Sequence, residues 1–146
     1  MEEPPNNAHW YPQPPASAEA IAALRALSRL DLPPAYLAFL ERSNGGDGDL
    51  GIEPGWVSLW PAEEVVGLNR GYKVQQWVPG FFGFGSNGGG ELWAFDTRTS
   101  HPWKVFMIPF IPLDEDEAIL VAEDFATFAQ AIEQRLDDSP ASADDG

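Results

Sequence analysis

The glycines between positions 83 and 90 have the spacing in this chain best suited to binding a nucleotide. Residues 83–88 read Gly-Phe-Gly-Ser-Asn-Gly, which fits the G-x-G-x-x-G pattern of dinucleotide-binding loops. Such a loop must lead into a helix, because the amides and dipole of a helix N-terminus hold the pyrophosphate. Residues 91–96 instead alternate as a strand does, and no basic residue lies nearby. We therefore predict a hairpin turn at this point and no cofactor.

A cation site is the second candidate, in the acidic segment that follows residue 46. Asp47, Asp49 and Glu53 bring three carboxylates into a short stretch of chain. The EF-hand register requires a further ligand at Gly51 and a glycine at Ile52, and neither position fits. Because Gly and Asp are also the residues of ordinary turns, we predict a tight, flexible loop over residues 45–49 and no metal site.

Nucleophilic and acid–base catalysis have few candidate groups. The chain has no cysteine, two histidines and no G-x-S-x-G run. A pairing of His101 with Asp96 stays open, because folding brings distant groups together. The carboxylate pairs Glu63/Glu64 and Glu91/Asp96 have the residue types of a glycosidase. With 23 acidic residues, however, such pairs arise by chance on a solvated surface, and we expect no enzyme.

Length and composition indicate one folded domain. The chain has 146 residues, of which 44% are hydrophobic and 12% aromatic. It lacks the basic start and apolar run of a secretory signal and any apolar stretch of about 18 residues, so we expect a soluble cytoplasmic protein. The expected divisions are a proline-rich arm over residues 1–16, the domain over 17–136 and an acidic tail over 137–146.

The formal charge of −15 restricts the class of partner. Six of the acids lie in the arm and the tail, so the central 17–136 region has 17 acids against 8 bases, a charge of −9. Such a surface repels nucleic-acid phosphates and anionic lipids, so neither is an expected partner. It attracts a basic protein instead. A role in solubility alone is an equally open interpretation.

Helical periodicity and capping residues predict helices on both sides of a group of strands. Ser17 is suited to cap a helix that ends near Leu30, and Pro33 and Pro34 open a second that ends at residues 44–45. Pro61 opens a short helix that ends near Asn69. Strands are predicted at residues 56–60, 81–85, 91–96 and 105–108, with a short edge strand at 119–121 and a final helix from 125. This order predicts an α+β domain in which helices at the two ends of the chain flank one antiparallel sheet.

The six tryptophans divide into two groups. Trp60, Trp93 and Trp103 lie in or beside apolar strands, where core packing is expected. Trp56 and Trp77 lie next to glycine and proline, where partial exposure is expected. Exposed tryptophans are typical of protein-binding hot spots, and flat rings also stack on sugars, so a small glycan-binding or hydrolytic domain remains an alternative.

Several short runs, in their order and spacing, resemble the SUKH superfamily, which includes fungal cell-wall assembly regulators and many bacterial immunity proteins. These runs lie at residues 32–40, 43–46, 59–65, 68–69, 72, 82–91, 96, 108–110 and 122–128. The resemblance extends over residues 17–136. It implies an α+β fold with one antiparallel sheet, and it implies no catalytic residues.

The resemblance also implies which residues have structural roles, chiefly at turns. They are Asn44, Gly45, Gly46, Trp60, Glu64, Gly85, Gly89, Gly90, Glu91, Asp96 and Pro109.

For bacterial members of the superfamily, the implied role is to neutralise a toxin, often a nuclease. The leading hypothesis is therefore a cytoplasmic immunity-type protein that covers a basic toxin domain, and its oligomeric state is left open. The alternative is a regulatory scaffold like the fungal relatives. The residues expected at or near the partner are the acidic and aromatic residues of two predicted loops, namely Asp47, Asp49, Glu53, Trp56, Asp114, Glu115, Asp116 and Glu117.

Overall fold

Seven strands among the described residues form one antiparallel sheet in which every strand pairs with the next one along the chain. The computed structural model describes residues 10–49 and 56–131. The strands are β1 (Trp10–Pro12), β2 (Gly46–Asp49), β3 (Trp56–Leu59), β4 (Phe81–Ser86), β5 (Glu91–Asp96), β6 (Val105–Pro109) and β7 (Ile119–Ala122). Helices flank this sheet, so the α+β fold class expected from the sequence is confirmed.

Four of the five described helices begin at a capping side chain or a proline. The five are α1 (Ala18–Ser28), α2 (Pro34–Arg42), α3 (Ala62–Gly71), α4 (Val74–Trp77) and a helix, α5, that begins at residue 125 and is described to residue 131. The Ser17 hydroxyl accepts a hydrogen bond from the Ala20 amide at 3.0 Å, as predicted for an N-cap. The Asp124 carboxylate accepts one from the Thr127 amide at 2.8 Å, and hydrogen bonding to the Thr127 side chain, followed by this amide bond, lowers the pKa of Asp124. Within the described part of the chain, no helix is long and apolar enough to cross a bilayer.

The pairing order separates the two ends of the sheet. In an antiparallel meander, alternate connections lie at opposite ends. The connections β2–β3, β4–β5 and β6–β7 therefore share one end, which we call the loop end. The opposite end has the other three connections, which are the α1–α2 segment between β1 and β2, the α3–α4 segment between β3 and β4, and the β5–β6 connection. Residues far apart in the sequence are thus brought together at the loop end.

Four aromatic rings form the centre of the core. Tyr36 of α2, Phe84 of β4, Phe95 of β5 and Phe125 of α5 are all buried, and each of their six pairs has ring centroids 4.4–6.0 Å apart. Such pairs add to the free energy gained from apolar burial alone. Burial also raises the pKa of the Tyr36 hydroxyl. This cluster fixes two helices against the two central strands.

The prediction of a flexible loop over residues 45–49 is wrong, because Gly46–Asp49 is strand β2. This strand pairs on one side with β3 and on the other with β1, a strand that was not predicted within the proline-rich arm. A Cβ on Gly46 would come within 2.6 Å of the Trp10 ring, so glycine is what lets Trp10 pack here. Pairing on both sides outweighs the poor strand propensity of Gly and Asp.

Other elements agree with the expectations except at their ends. Strands β3 to β7 are confirmed, and Trp60, Trp93 and Trp103 are buried. Helix α1 ends two residues before Leu30, because Arg29 adopts a left-handed conformation with φ of 60°. Helix α3 extends beyond Asn69, and the four-residue α4 after it was not predicted.

Asn69 on α3 makes the hydrogen bonds to the backbone of β4 that a neighbouring strand would otherwise make. Its side-chain Nδ2 donates to the Gly83 carbonyl at 2.8 Å, and its Oδ1 accepts from the Gly83 amide at 2.8 Å. Gln75 joins the group by donating to the Phe81 carbonyl at 2.7 Å. The Asn69 side chain is buried, so these bonds satisfy backbone groups that water cannot reach.

We expect Asn69→Ala to lower the free energy of unfolding by roughly 2–4 kcal/mol, because it leaves both backbone groups of Gly83 without a partner. Urea unfolding followed by tryptophan fluorescence measures the change. Gln76→Ala, which removes an exposed amide from α4, is the matched control and should change the value by less than about 0.5 kcal/mol. Equal effects of the two substitutions would contradict the role given to Asn69.

Candidate functional site

The glycine run at residues 83–88 has the structural context of a hairpin. It extends from the interior of β4 into the β4–β5 turn, and strand β5 follows it. Gly88 has a φ of 77°, which favours glycine in this turn. Asn87 holds the turn together, since its Oδ1 accepts from the amides of Gly89 and Glu91 and its Nδ2 donates to the Glu91 carboxylate. The hairpin prediction is confirmed.

Asp96 and His101, the pair left open for catalysis, have different partners. The Asp96 carboxylate accepts two side-chain bonds from Arg98, at 2.9 and 3.1 Å, and one from the Arg98 amide at 3.0 Å. These bonds hold the pKa of Asp96 below its ordinary value and raise that of Arg98. His101 stacks on Trp103 at 4.3 Å, and its Nε2 lies 2.7 Å from the Asp31 carbonyl.

Asn44 and Gly45, both motif residues, join α2 to the start of α3. The Asn44 Oδ1 accepts from the Ala62 amide at 2.7 Å, so Asn44 caps α3 from a distant part of the chain. Its Nδ2 donates to Glu63 at 2.8 Å, and this bond lowers the pKa of that carboxyl. Gly45 has a φ of 89°, and a Cβ there would lie 2.5 Å from the Leu59 carbonyl oxygen.

The other motif glycines differ in what surrounds them. A Cβ on Gly85 would lie 2.5 Å from the Ser58 carbonyl oxygen, so glycine permits β3 and β4 to approach each other. Gly89 and Gly90 have open space around the Cβ position apart from the Asn87 side chain, and neither has a positive φ. Gly88, which was not among the glycines predicted to have a structural role, is the glycine of this turn with a left-handed conformation.

The remaining motif residues lie around the sheet. Pro109 ends β6 and pairs with Glu91 of β5. Trp60 is buried and, together with exposed Glu64 and half-buried Asp47, lines a polar hollow near the start of β2. Asp47 therefore lies away from the loop end.

Two of the three connections at the loop end are described and contact their neighbours. Trp56, at the start of β3 and opposite Asp49, is 41% exposed and packs on Gly88 of the β4–β5 turn. The Phe110 amide, just after β6, donates to the Gly90 carbonyl at 2.8 Å. Glu53, also predicted to contact the partner, lies outside the described residues.

An apolar hollow opens beside this turn. Its volume is about 580 Å³, and we call it the aromatic hollow. Trp77 and Ile111, which line it, are 57% and 91% exposed. Tyr72 links it to the core, because its ring stacks on Phe110 at 4.4 Å and lies 6.1 Å from Trp60. The complete lining is Tyr72, Trp77, Phe110, Ile111, Pro112, Leu113 and Asp114.

The acidic turn borders the aromatic hollow. Asp114 caps a short 3₁₀ turn, Glu115–Glu117, by accepting from the Asp116 amide at 2.9 Å. All four acids are exposed. Arg98 reaches Glu115 at 3.5 Å, whereas Asp116 and Glu117 have no cationic partner among the described residues. Negative charge and apolar surface therefore lie side by side.

Comparison with known proteins identifies the family. The model of the SMI1 / KNR4 family (SUKH-1) matches residues 15–131, most of the chain. The chain belongs to this family. No curated protein matches it. The SUKH resemblance stated from the sequence is confirmed.

Sequence reasoning missed most of the aromatic hollow in this SUKH-1 chain. A binding role was predicted for Trp77 and Asp114 but not for Tyr72 or residues 110–113, although Tyr72 and Phe110 lie in the runs that resemble the SUKH superfamily. The available signal was the run Phe-Ile-Pro-Leu between a strand and four acids. Loops are usually polar, so an apolar run in a connection indicates that its side chains pack on the protein or bind a partner. Within the described residues, no three acidic or histidine side chains group as a metal site.

Gly45→Ala and Gly67→Ala should have opposite effects on stability. Alanine at residue 45 adopts a strained φ and meets the Leu59 carbonyl, so we expect a loss of about 2–4 kcal/mol. Gly67 lies in α3 with open space around it, so alanine there should stabilise by about 0.5–1 kcal/mol. Urea midpoints test both, and a tolerated Gly45→Ala would show that the close approach to Leu59 is unimportant.

Asp96→Asn should destabilise the protein in a pH-dependent way. Because the folded-state pKa of Asp96 is lowered, its contribution is present above its unfolded value of about 3.9 and is lost as the pH falls through the folded value. We expect a deficit of about 1 kcal/mol at pH 7 that disappears toward pH 3. Urea unfolding across this range measures it, with exposed Glu41→Gln as the control. A deficit independent of pH would refute an ionic role for Asp96.

Proposed function

We propose that this SUKH-1 protein is a non-catalytic cytoplasmic binding domain that neutralises a toxin by covering its basic surface. The observation that carries the proposal is the exposed aromatic hollow bordered by the acidic turn, residues 114–117. A nuclease-type toxin has the complementary chemistry, because its own substrate is a chain of phosphates and its binding face must be basic.

The hollow supplies the apolar part of such an interface. Exposed aromatic residues that can be fully buried by a partner dominate the binding free energy of many complexes. Trp77 is the strongest candidate, because more than half of its side chain is exposed and it lines the aromatic hollow beside Tyr72. Burial of Trp77 against a partner removes a large apolar surface from water.

The acidic turn supplies the attraction at longer range. The chain carries −15, and Asp116 and Glu117 project this charge next to the hollow without a neutralising partner among the described residues. Complementary charge raises association rates more than it raises affinity. The turn therefore guides a basic partner onto the apolar surface that then retains it.

Existing contacts of the polar groups support a non-catalytic role. The side chain of Asp96 is held by Arg98, that of Glu91 by Asn87, and His101 contacts Asp31 and Trp103. These groups stabilise the fold, and the hydrogen bonds from Arg98 lower the pKa of Asp96.

The double substitution Asp116→Lys and Glu117→Lys should slow association with the toxin. The candidate partner is the product of the neighbouring gene, captured as a complex and followed by stopped-flow fluorescence. We expect an association rate constant about three- to tenfold lower at low salt, with a weaker salt dependence. Asp31→Lys with Glu41→Lys, which changes the net charge equally beside and within α2, should change the rate less than about twofold.

Trp77→Ala tests the hollow in the same complex. It should raise the dissociation rate about tenfold or more, whereas Leu27→Ala, at a similarly exposed position on α1, should leave it unchanged. If neither the charge pair nor Trp77 affects a stoichiometric complex, the interface lies elsewhere. If the neighbouring product is well folded and forms no complex, a regulatory role with an unlinked partner becomes the better interpretation.

A further inference from the structure

The two outer strands of the sheet differ in how they are protected. β1 is three residues long, ends at Pro12 and is followed by two further prolines at residues 14 and 15. Proline cannot donate to a neighbouring strand, so it blocks pairing at an edge. β7 reads Ile-Leu-Val-Ala and contains no proline, glycine or charge. In the part of the chain that the structure describes, its only partner strand is β6.

The side chains of β7 are exposed to an unusual degree for their type. Ile119 is 54% exposed and Leu120 is 47% exposed, so neighbouring residues on a short strand both reach solvent. A register shift between Val105 and Phe106, a feature of the kind that protects edges, interrupts the pairing of β7 with β6. β7 nevertheless contains no lysine or proline, and apolar edge strands of this kind invite pairing with another chain. The exposed apolar edge of β7 therefore indicates a surface that another chain covers.

Charge at both ends of β7 indicates what covers it. The acidic turn, residues 114–117, precedes the strand, and Glu123 and Asp124 follow it. Arg98 reaches Glu115, and Lys104 lies 3.9 Å from Glu123, so only part of this charge is neutralised. A second copy paired antiparallel across β7 would place the acids of one copy beside those of the other, which is unfavourable.

We propose that the outer edge of β7 binds an extended segment of another protein, with alternating apolar residues and lysine or arginine at both ends. The backbone of this segment adds an eighth strand to the sheet, its side chains cover Ile119 and Leu120, and its basic ends lie against the flanking acids. This interaction surface is separate from the aromatic hollow and does not depend on the proposed toxin-binding role.

A synthetic peptide tests the proposal on the full chain. The probe has five alternating valine and threonine residues between two lysines at each end, with both termini blocked. We expect saturable binding that weakens as salt rises, and new protection of the β7 amides from hydrogen exchange. A matched peptide whose five central residues are N-methylated keeps the side chains and charges but cannot donate, and it should bind at least tenfold more weakly.

Two variants of the protein locate the site. Ile119→Lys places a lysine on the edge and should weaken peptide binding at least fivefold without lowering the thermal midpoint. Leu27→Lys makes the same change at an exposed apolar position on α1 and should alter binding less than twofold. Trp77→Ala should leave peptide binding unchanged, which separates this test from that of the aromatic hollow.

Four results would overturn the proposal. They are the absence of saturable binding at millimolar peptide, equal binding of the N-methylated peptide, protection of every β7 amide in the free monomer, and a dimer that Ile119→Lys dissociates. The second would reduce the interaction to electrostatics. The third would mean that the chain covers its own edge, and the fourth that a second copy is the occupant.

Discussion

The mutual contact of Tyr36, Phe84, Phe95 and Phe125 is the constraint on which the rest of the fold depends. Because each ring touches the other three, neither α2 nor α5 can move over the two central strands without separating several pairs at once. Close-packed interiors resist such movement strongly. The central strands are thereby fixed, and the outer strands take their positions from them by successive backbone pairing.

The surfaces available for binding lie at the ends and the edge of the sheet, because its centre is filled by the aromatic core. The centre of the sheet is used entirely for packing, so the surfaces left over are the loop end, with the aromatic hollow, and the outer edge of β7. Both are rich in exposed apolar side chains that the core does not need. The acidic turn lies between them in the chain, so one short segment contributes charge to two different surfaces.

The formal charge of the chain does not show which acids stabilise the fold and which are available to a partner. Several acids stabilise the fold itself: Asp96 through Arg98, Glu91 through Asn87, Glu63 through Asn44 and Asp124 at the start of α5. Others, chiefly Asp116 and Glu117, face solvent without a described cationic partner. A carboxylate that is already hydrogen-bonded attracts a partner less than an exposed, unpaired one, so the count of acids overstates the binding surface.

Local sequence signals were sufficient to predict the helices and strands that begin at a cap, a proline or an apolar run. Ser17 and the prolines at 33, 34 and 61 mark helix starts, and the glycine run after β4 indicates a hairpin, as observed. Apolar runs bounded by turn residues mark β3, β4, β6 and β7, and alternation marks β5. Tertiary contacts were needed to show that Gly46–Asp49 is a strand, that Asn69 substitutes for one, and that Glu115, after β6, comes within 3.5 Å of Arg98, after β5. Each of these depends on contacts between residues far apart in the chain. Local propensities differ by about 1 kcal/mol or less, and pairing and burial outweigh them.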